Sequence, residues 1–269
     1  MEKFVIIFII ILFNNQNVFC QETIKDISNY KVIYNLEYQK DSTDISTKQN
    51  EKMILLIGDK YSLFESLNKR YNDSIKSAII KENLDISIAI SKGLSQSKKS
   101  RFKFRILKNS KETLVYDSYF SDKFIYKDEE KLSWKIKKTF DTISGYNCTL
   151  ATTSFAGRSY RAWFTKEIPI SDGPYKFKGL PGLIVKIEDN KRHYIFKLVS
   201  FLKAKEKFEF DKKAGIEVSK KEFYNSYNSF KKNFISQLNQ RGMDVISTDS
   251  RNLKKRVQKS RNNEIEIKY

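Results

Sequence analysis

Histidine is almost missing from this 269-residue sequence, which has one, alongside two cysteines, three prolines and nine glycines. One histidine cannot supply a multi-histidine metal site. Two cysteines cannot build a four-thiolate zinc or iron–sulfur site or a disulfide scaffold. The scattered glycines form no GxGxxG or GxxxxGK[ST] run, and neither HExxH nor Gx-Ser-xG occurs. The sequence therefore names no cofactor and no metal, and it shows no catalytic set, so a non-enzymatic protein is expected. What it does have is apolar mass: 40% hydrophobic residues and 14% aromatics, with 20 Phe and 15 Tyr, are enough to bury a substantial core.

Phe4 to Phe13 run without a polar side chain behind Glu2 and Lys3, and Asn14 to Asn17 end the run. Ten apolar residues are too few to cross a bilayer, which takes about 20. The segment reads as the apolar core of a secretory signal peptide, residues 1–20, cleaved after Cys20 to leave Gln21 first. A lipoprotein signal acylating Cys20 would want a small residue before it, where Phe19 stands. The expected location is the periplasm or cell envelope, with Cys148 as the single remaining thiol.

Acidic residues are also few, 32 Asp and Glu against 51 Lys and Arg, for a formal charge of +19. The excess is lysine, 41 against 10 arginines. Sequence-specific nucleic-acid contacts favour arginine's planar fork, so no nucleic-acid partner is expected and most lysines read as solvated surface. The run Arg251 to Arg261 holds six basic and no acidic residues. It reads as a basic linker able to make weak contact with an anionic membrane.

Strand patterns dominate the rest. Val32, Tyr34, Leu36 and Tyr38 alternate with polar neighbours, as do Phe102, Phe104 and Ile106, and Leu132, Trp134 and Ile136. Gly58-Asp59 between Met53–Ile57 and Lys60–Phe64 signals a hairpin. Leu183, Val185 and Ile187 answer Tyr194, Phe196 and Leu198 across residues 189–192. One strong helix begins at Ser219, with Glu222 completing a capping box, and carries Phe223, Tyr227, Phe230, Phe234 and Leu238 until Gly242. A weaker helix covers Leu67, Tyr71, Ile75 and Ile79, and the Ser/Lys-rich stretch from Asn83 to Ser100 reads as a long loop. The expected fold is α+β, mainly antiparallel β: a curved meander or open half-barrel sheet packed with one or two helices. Residues 21–250 are expected to form one domain, and 251–269 a basic tail ending in a short strand.

All three prolines and five of the nine glycines fall between 145 and 182, so this segment has a specified path. Its phrase Gly179-Leu180-Pro181-Gly182-Leu183-Ile184 resembles the signature of the GLPGLI family of Bacteroidetes envelope proteins. The resemblance extends upstream through Gly145-Tyr146-x-Cys148-x-x-Ala151, Gly157-Arg158, Ala162-Trp163-Phe164, Glu167-Ile168-Pro169-Ile170, Gly173-Pro174 and Phe177. Near the end, Asn263-Glu264-Ile265-Glu266 is similar to the family's Asn-Pro-Ile-Glu close, with Glu264 in place of proline. The resemblance implies an exported protein of uncharacterised biochemistry, without a catalytic residue, often encoded near outer-membrane TonB-dependent transporters. The strand pattern also resembles, in architecture only, the open half-barrels of lipoprotein carriers.

Candidate ligand or partner contacts are Arg158, Arg161, Trp163, Glu167, Lys176 and Phe177. Trp163 stands on the polar face of its strand as a stacking platform or as packing beneath the loop. Pro169, Gly173, Pro174, Gly179, Leu180, Pro181, Gly182, Leu183 and Ile184 are expected to fix that loop, offering a rigid edge to a partner. Cys148 reads as buried and inert, and His193 as an exposed strand residue. The expected activity is binding of an outer-membrane transporter or of an apolar or peptide ligand. The rivals are a cofactor-free enzyme using carboxylates with Arg158 or Arg161, and a membrane-surface structural protein.

Overall fold

The computed structural model describes residues 23–234, 236 and 262–268. The expected signal peptide, Leu238, Gly242 and the basic run Arg251 to Arg261 lie outside the described residues. Among the described residues thirteen strands and three helices are formed: β1 (Thr23–Asp41), β2 (Asp44–Gly58), β3 (Ser62–Ser66), α1 (Leu67–Glu82), α2 (Ile86–Gln96), β4 (Arg105–Lys108), β5 (Thr113–Tyr119) and β6 (Asp122–Lys127) come first. They are followed by β7 (Lys135–Ile143), β8 (Tyr146–Phe155), β9 (Arg158–Thr165), β10 (Leu183–Asp189), β11 (Tyr194–Lys203), β12 (Lys207–Asp211), β13 (Ile216–Glu217) and α3 (Lys220–Lys232).

The strands lie in the order β13-β6-β5-β4-β3-β2-β1-β11-β10-β9-β8-β7, and β12 pairs with the start of β1. Two meanders therefore meet where β1 pairs antiparallel with β11. All the pairings are antiparallel except that of β13 with β6. The chain leaves β6, one strand from one edge, and enters β7, the opposite edge, through residues 128–134 alone. So short a connection spans at most about 25 Å. A flat sheet of this width could not be bridged that way, so the sheet curls until its two margins face each other without pairing. It is the open curved sheet expected from the alternation, with one helix more.

The concave face holds the main core. Val32, Tyr34, Leu36 and Tyr38 of β1 point into it with Phe64, Ile106, Tyr160, Phe164 and Phe196, and there they meet Tyr175, Phe177 and Leu180 of the Pro/Gly-rich loop. A second, smaller core lies on the other face, where Phe208 and Phe210 of β12 cover Ile54, Leu56, Leu63, Leu107 and Leu114. Burial on both faces explains why β2 reads Met53-Ile54-Leu55-Leu56 without alternation.

Several expectations are corrected. The stretch read as a loop from Asn83 to Ser100 contains α2, started by Asp85, whose carboxylate accepts from Ser87 N. Its Ile86, Ile90 and Leu94 repeat every four residues. The serines and lysines between them gave the stretch its loop-like composition and hid the helix. Phe102 and Phe104 are buried but precede β4, and Leu132 and Trp134 precede β7. The hairpin at Gly58-Asp59 forms with a longer turn, Gly58 N donating to Tyr61 O at 2.8 Å. Residues 262–268 contain no strand. Ile267 N and Lys268 N both reach Ala156 O instead, at 3.0 and 3.1 Å. The Ser219–Glu222 capping box is present as expected.

Candidate functional site

The loop between β9 and β10 is an interior plug. Gly182 has φ 151°, and a Cβ there would stand 2.0 Å from Thr165 O, so only glycine lets the chain double back onto β9. At Gly173 an added Cβ would lie 2.8 Å from Ile184. Buried ions anchor the plug. Lys108 of β4 donates to Asp172 Oδ1 at 2.5 Å and to Gly173 O at 2.7 Å. Burial holds the Lys108 ammonium below its usual pKa, against the pull of Asp172. Lys176 donates to Asp128 Oδ2 at 2.6 Å and to Glu266. Lys220 of α3 reaches Asp128 at 3.1 Å, Glu130 at 3.1 Å and Glu266 at 2.9 Å. Burial opposes the charge on Lys176, yet Glu266, Tyr126 and Asp128 raise its pKa on balance. One cluster thus ties the plug, the 128–134 connection, α3 and the C-terminal segment across the facing margins. Removing one partner from such a buried set is costly.

Beside the plug opens a cleft of about 650 Å³, a size that accommodates a small ligand. Tyr126 and Tyr194 line it from the sheet, Tyr175 from the plug, Phe104 from the segment before β4, and Phe223, Tyr224 and Tyr227 from α3. Lys40, Lys99, Arg101 and Lys103 supply cations, and Glu51, Asp117, Glu264 and Glu266 carboxylates. Glu51 lies among the cations, accepting from Arg101 N at 2.9 Å. Burial lowers the Lys40 pKa, and Lys99 and Arg101 lower it further. Burial lifts Asp117 to about 7, opposed by the Ser118 N–H and Lys176 and reinforced by Glu264 and Glu266. A carboxyl titrating there can hold or release a proton near neutrality. Several phenols are already committed: Tyr175 donates to Glu266, Tyr194 to Asn263 O at 2.6 Å, and Tyr227 to Glu264 Oε1 at 3.3 Å. Among the described residues no group of three or more metal-ligating side chains gathers.

None of the six candidate contacts lines this cleft. Arg158 is buried, donating to Asp189 Oδ2 at 3.0 Å, to Asn263 Oδ1 at 2.7 Å and to Glu264 O at 2.5 Å. It thereby holds the C-terminal segment in place. Arg161 is exposed and pairs with Glu188. Trp163 is half-buried against the core, opposite Leu150 and Lys186 on the neighbouring strands. Glu167 accepts from Asn147 N at 2.8 Å. Lys176 and Phe177 are buried. Their expected role as contacts is corrected accordingly, since a partner cannot reach these two side chains from outside. Of the loop residues, Pro169, Gly179 and Pro181 are exposed, whereas Gly173, Pro174, Leu180, Gly182, Leu183 and Ile184 face inward.

His193 is buried, not exposed as expected, because it ends the β10–β11 turn and turns toward Arg158. Its pKa is lowered, first by burial, with Asp189 pulling the other way. Cys148 is buried as expected, and burial pushes its thiol up to about 11. The cleft residues that sequence reading missed come from segments far apart in the chain. Only the family-like Asn263-Glu264-Ile265-Glu266 close pointed toward one of them.

The family described as "Protein of unknown function (Porph_ging)" has a model that matches residues 156–186, from the β8–β9 turn to the middle of β10. That is the segment on which the sequence resemblance chiefly rests, and the match does not extend to the remainder or bear the GLPGLI name. No curated protein sequence matches. Among solved structures the chain is similar to PNGF-II in a P21 crystal form, at 16% identity and a TM-score of 0.48, covering 74% of this chain and 32% of that one. It is similar also to PNGF-II in a C2 form, at 16% identity and a TM-score of 0.45, covering 71% and 30%. The chain thus spans about a third of PNGF-II, and a likeness this distant carries nothing over.

Proposed function

We propose that this is an exported, non-enzymatic cell-envelope protein that holds an apolar or peptide ligand in the cleft between the plug, α3 and the open margin of the sheet. The observation that carries the reading is the cleft itself: about 650 Å³, walled by aromatic rings, with both cations and carboxylates along its lining. Rings supply broad apolar contact at little entropic cost, and charged groups on the lining orient a ligand with polar ends. The buried ion cluster keeps the cavity wall fixed before a ligand arrives, which lowers the ordering cost of binding. Delivery to an outer-membrane transporter is the partner role consistent with export. Native mass spectrometry of protein recovered gently from its host tests the reading. A bound small molecule is expected, and Ser118→Trp, which fills the lining, is expected to lose it. An empty wild-type protein would remove the support.

Asp117 favours a second reading, a cofactor-free enzyme with this carboxyl as proton donor. The arginines expected for that chemistry stand elsewhere, Arg158 on Asp189 and Arg161 on Glu188, and the guanidinium in the cleft is Arg101. Turnover of an extracted ligand that is abolished by Asp117→Asn would establish this reading over simple binding.

A further inference from the structure

The hairpin of α1 and α2 buries no residue, yet it carries a concentrated set of exposed aliphatic side chains. Ile80, Ile86, Ile88, Ile90 and Leu94 are between 55% and 76% exposed. Single exposed hydrophobics are ordinary on a soluble protein; a stripe at four-residue spacing on one short helix is not. Ile86, Ile90 and Leu94 form that stripe. Ile80 borders it, sharing with Ala89 and Gly93 the small groove between the two helices. The hairpin meets the sheet through α1, on β2 and β3, so its far end projects.

Charge selects the occupant. Residues 76–99 contain five lysines and two carboxylates. Both carboxylates are engaged: Glu82 pairs with Lys92 at 2.6 Å, and Asp85 caps α2. Lys76, Lys81, Lys98 and Lys99 have no carboxylate partner among the described residues. A second copy placed face to face would bring these lysines against one another. The chain's own run Arg251 to Arg261 has the same sign and fits no better. An anionic bilayer offers both requirements, apolar depth for the aliphatic stripe and negative headgroups for the lysines around it.

We propose that the α1–α2 hairpin is a membrane-surface anchor that lays Ile86, Ile90 and Leu94 into the interface of an anionic lipid leaflet, with Lys76, Lys81 and Lys98 on its headgroups. This does not depend on the cleft having a ligand. The test is sedimentation of the purified protein with phosphatidylglycerol-containing vesicles and with pure phosphatidylcholine vesicles, for wild type, Ile86→Ser/Ile90→Ser/Leu94→Ser, and Lys76→Gln/Lys81→Gln/Lys98→Gln. Wild type is expected to prefer the anionic vesicles, with partitioning falling about tenfold or more in the serine variant and severalfold in the glutamine variant. Equal binding by wild type and the serine variant would overturn the proposal, as would a wild type that ignores anionic vesicles. A shift from dimer to monomer in the serine variant without any lipid binding would assign the stripe to a second copy instead. Should the serine variant fail to fold, unchanged partitioning of the glutamine variant would overturn the proposal by itself.

Discussion

The plug between β9 and β10 and the α1–α2 hairpin are both long excursions from the same sheet, and they are opposites. The plug has little regular structure, yet most of it is buried, and its Asp172 and Lys176 are ion-paired inside the protein. The hairpin is regular, with Ser66 and Asp85 as caps, and has no buried residue. Local regularity and global anchoring are therefore separate properties. Capping and spacing are enough to write a helix, whereas the plug's path is set by contacts with strands far away in sequence. The comparison also divides the work: the plug shapes one wall of a preformed cleft, and the hairpin presents a face outward.

The difference can be broken from the plug side first, where the effects are largest. Lys176→Met leaves Lys220 as the one cation paired with Asp128 and Glu266 among the described residues, and it is expected to cost about 3–5 kcal/mol in denaturant unfolding, or to prevent folding. Gly182→Val is next. The added side chain meets the backbone of Thr165, and a loss of about 2–3 kcal/mol is expected, with a far-ultraviolet spectrum that still shows the sheet.

The cleft gives a smaller, pH-dependent effect. Asp117 is raised from an ordinary carboxyl to about 7, so the folded state keeps this proton to higher pH than the unfolded chain does. Stability is then lost as pH rises from about 4 to about 7, and the full cost is present above that. Asp117→Asn cannot ionise and retains an acceptor for Ser118 N. It should match wild type in thermal melts near pH 4 and exceed it near pH 8 by about 2 kcal/mol, allowing for partial solvent access. Smallest is the hairpin: Ile86→Ser/Ile90→Ser/Leu94→Ser should shift unfolding by no more than about 0.5 kcal/mol per site, because nothing is buried there.

The same contrast explains what could be read from the sequence. The β1 alternation at Val32, Tyr34, Leu36 and Tyr38, the β10–β11 pairing of Ile187 with Phe196, and the capped α3 were legible because each is a local pattern. Curvature was legible only in part. What demands it is the short 128–134 connection between opposite margins, and this becomes visible once strand order is known. Lys108 was lost among the lysines read as surface and Lys176 among the candidate ligand or partner contacts, since their carboxylate partners lie 48 to 90 residues away. His193 failed a face assignment because strand alternation does not extend into a turn. The cleft could not be assembled from sequence at all, as Lys40, Arg101, Asp117, Tyr194 and Glu264 share no motif.

Native-state hydrogen exchange, read residue by residue, tests the central contrast most directly. The amides of Leu183 and Ile184, bonded to Ile168 O and Asp172 O at 3.0 Å each, report the plug. Those of Ala89 and Ser97, bonded to Asp85 O at 2.8 Å and Gly93 O at 3.1 Å, report the hairpin. If the plug is an integral part of the core, Leu183 and Ile184 exchange only with global unfolding, while Ala89 and Ser97 exchange through local opening many times faster. Equal or faster exchange at Leu183 and Ile184 would contradict the account, because the segment between β9 and β10 would then be an ordinary surface loop and the cleft beside it would have no fixed wall.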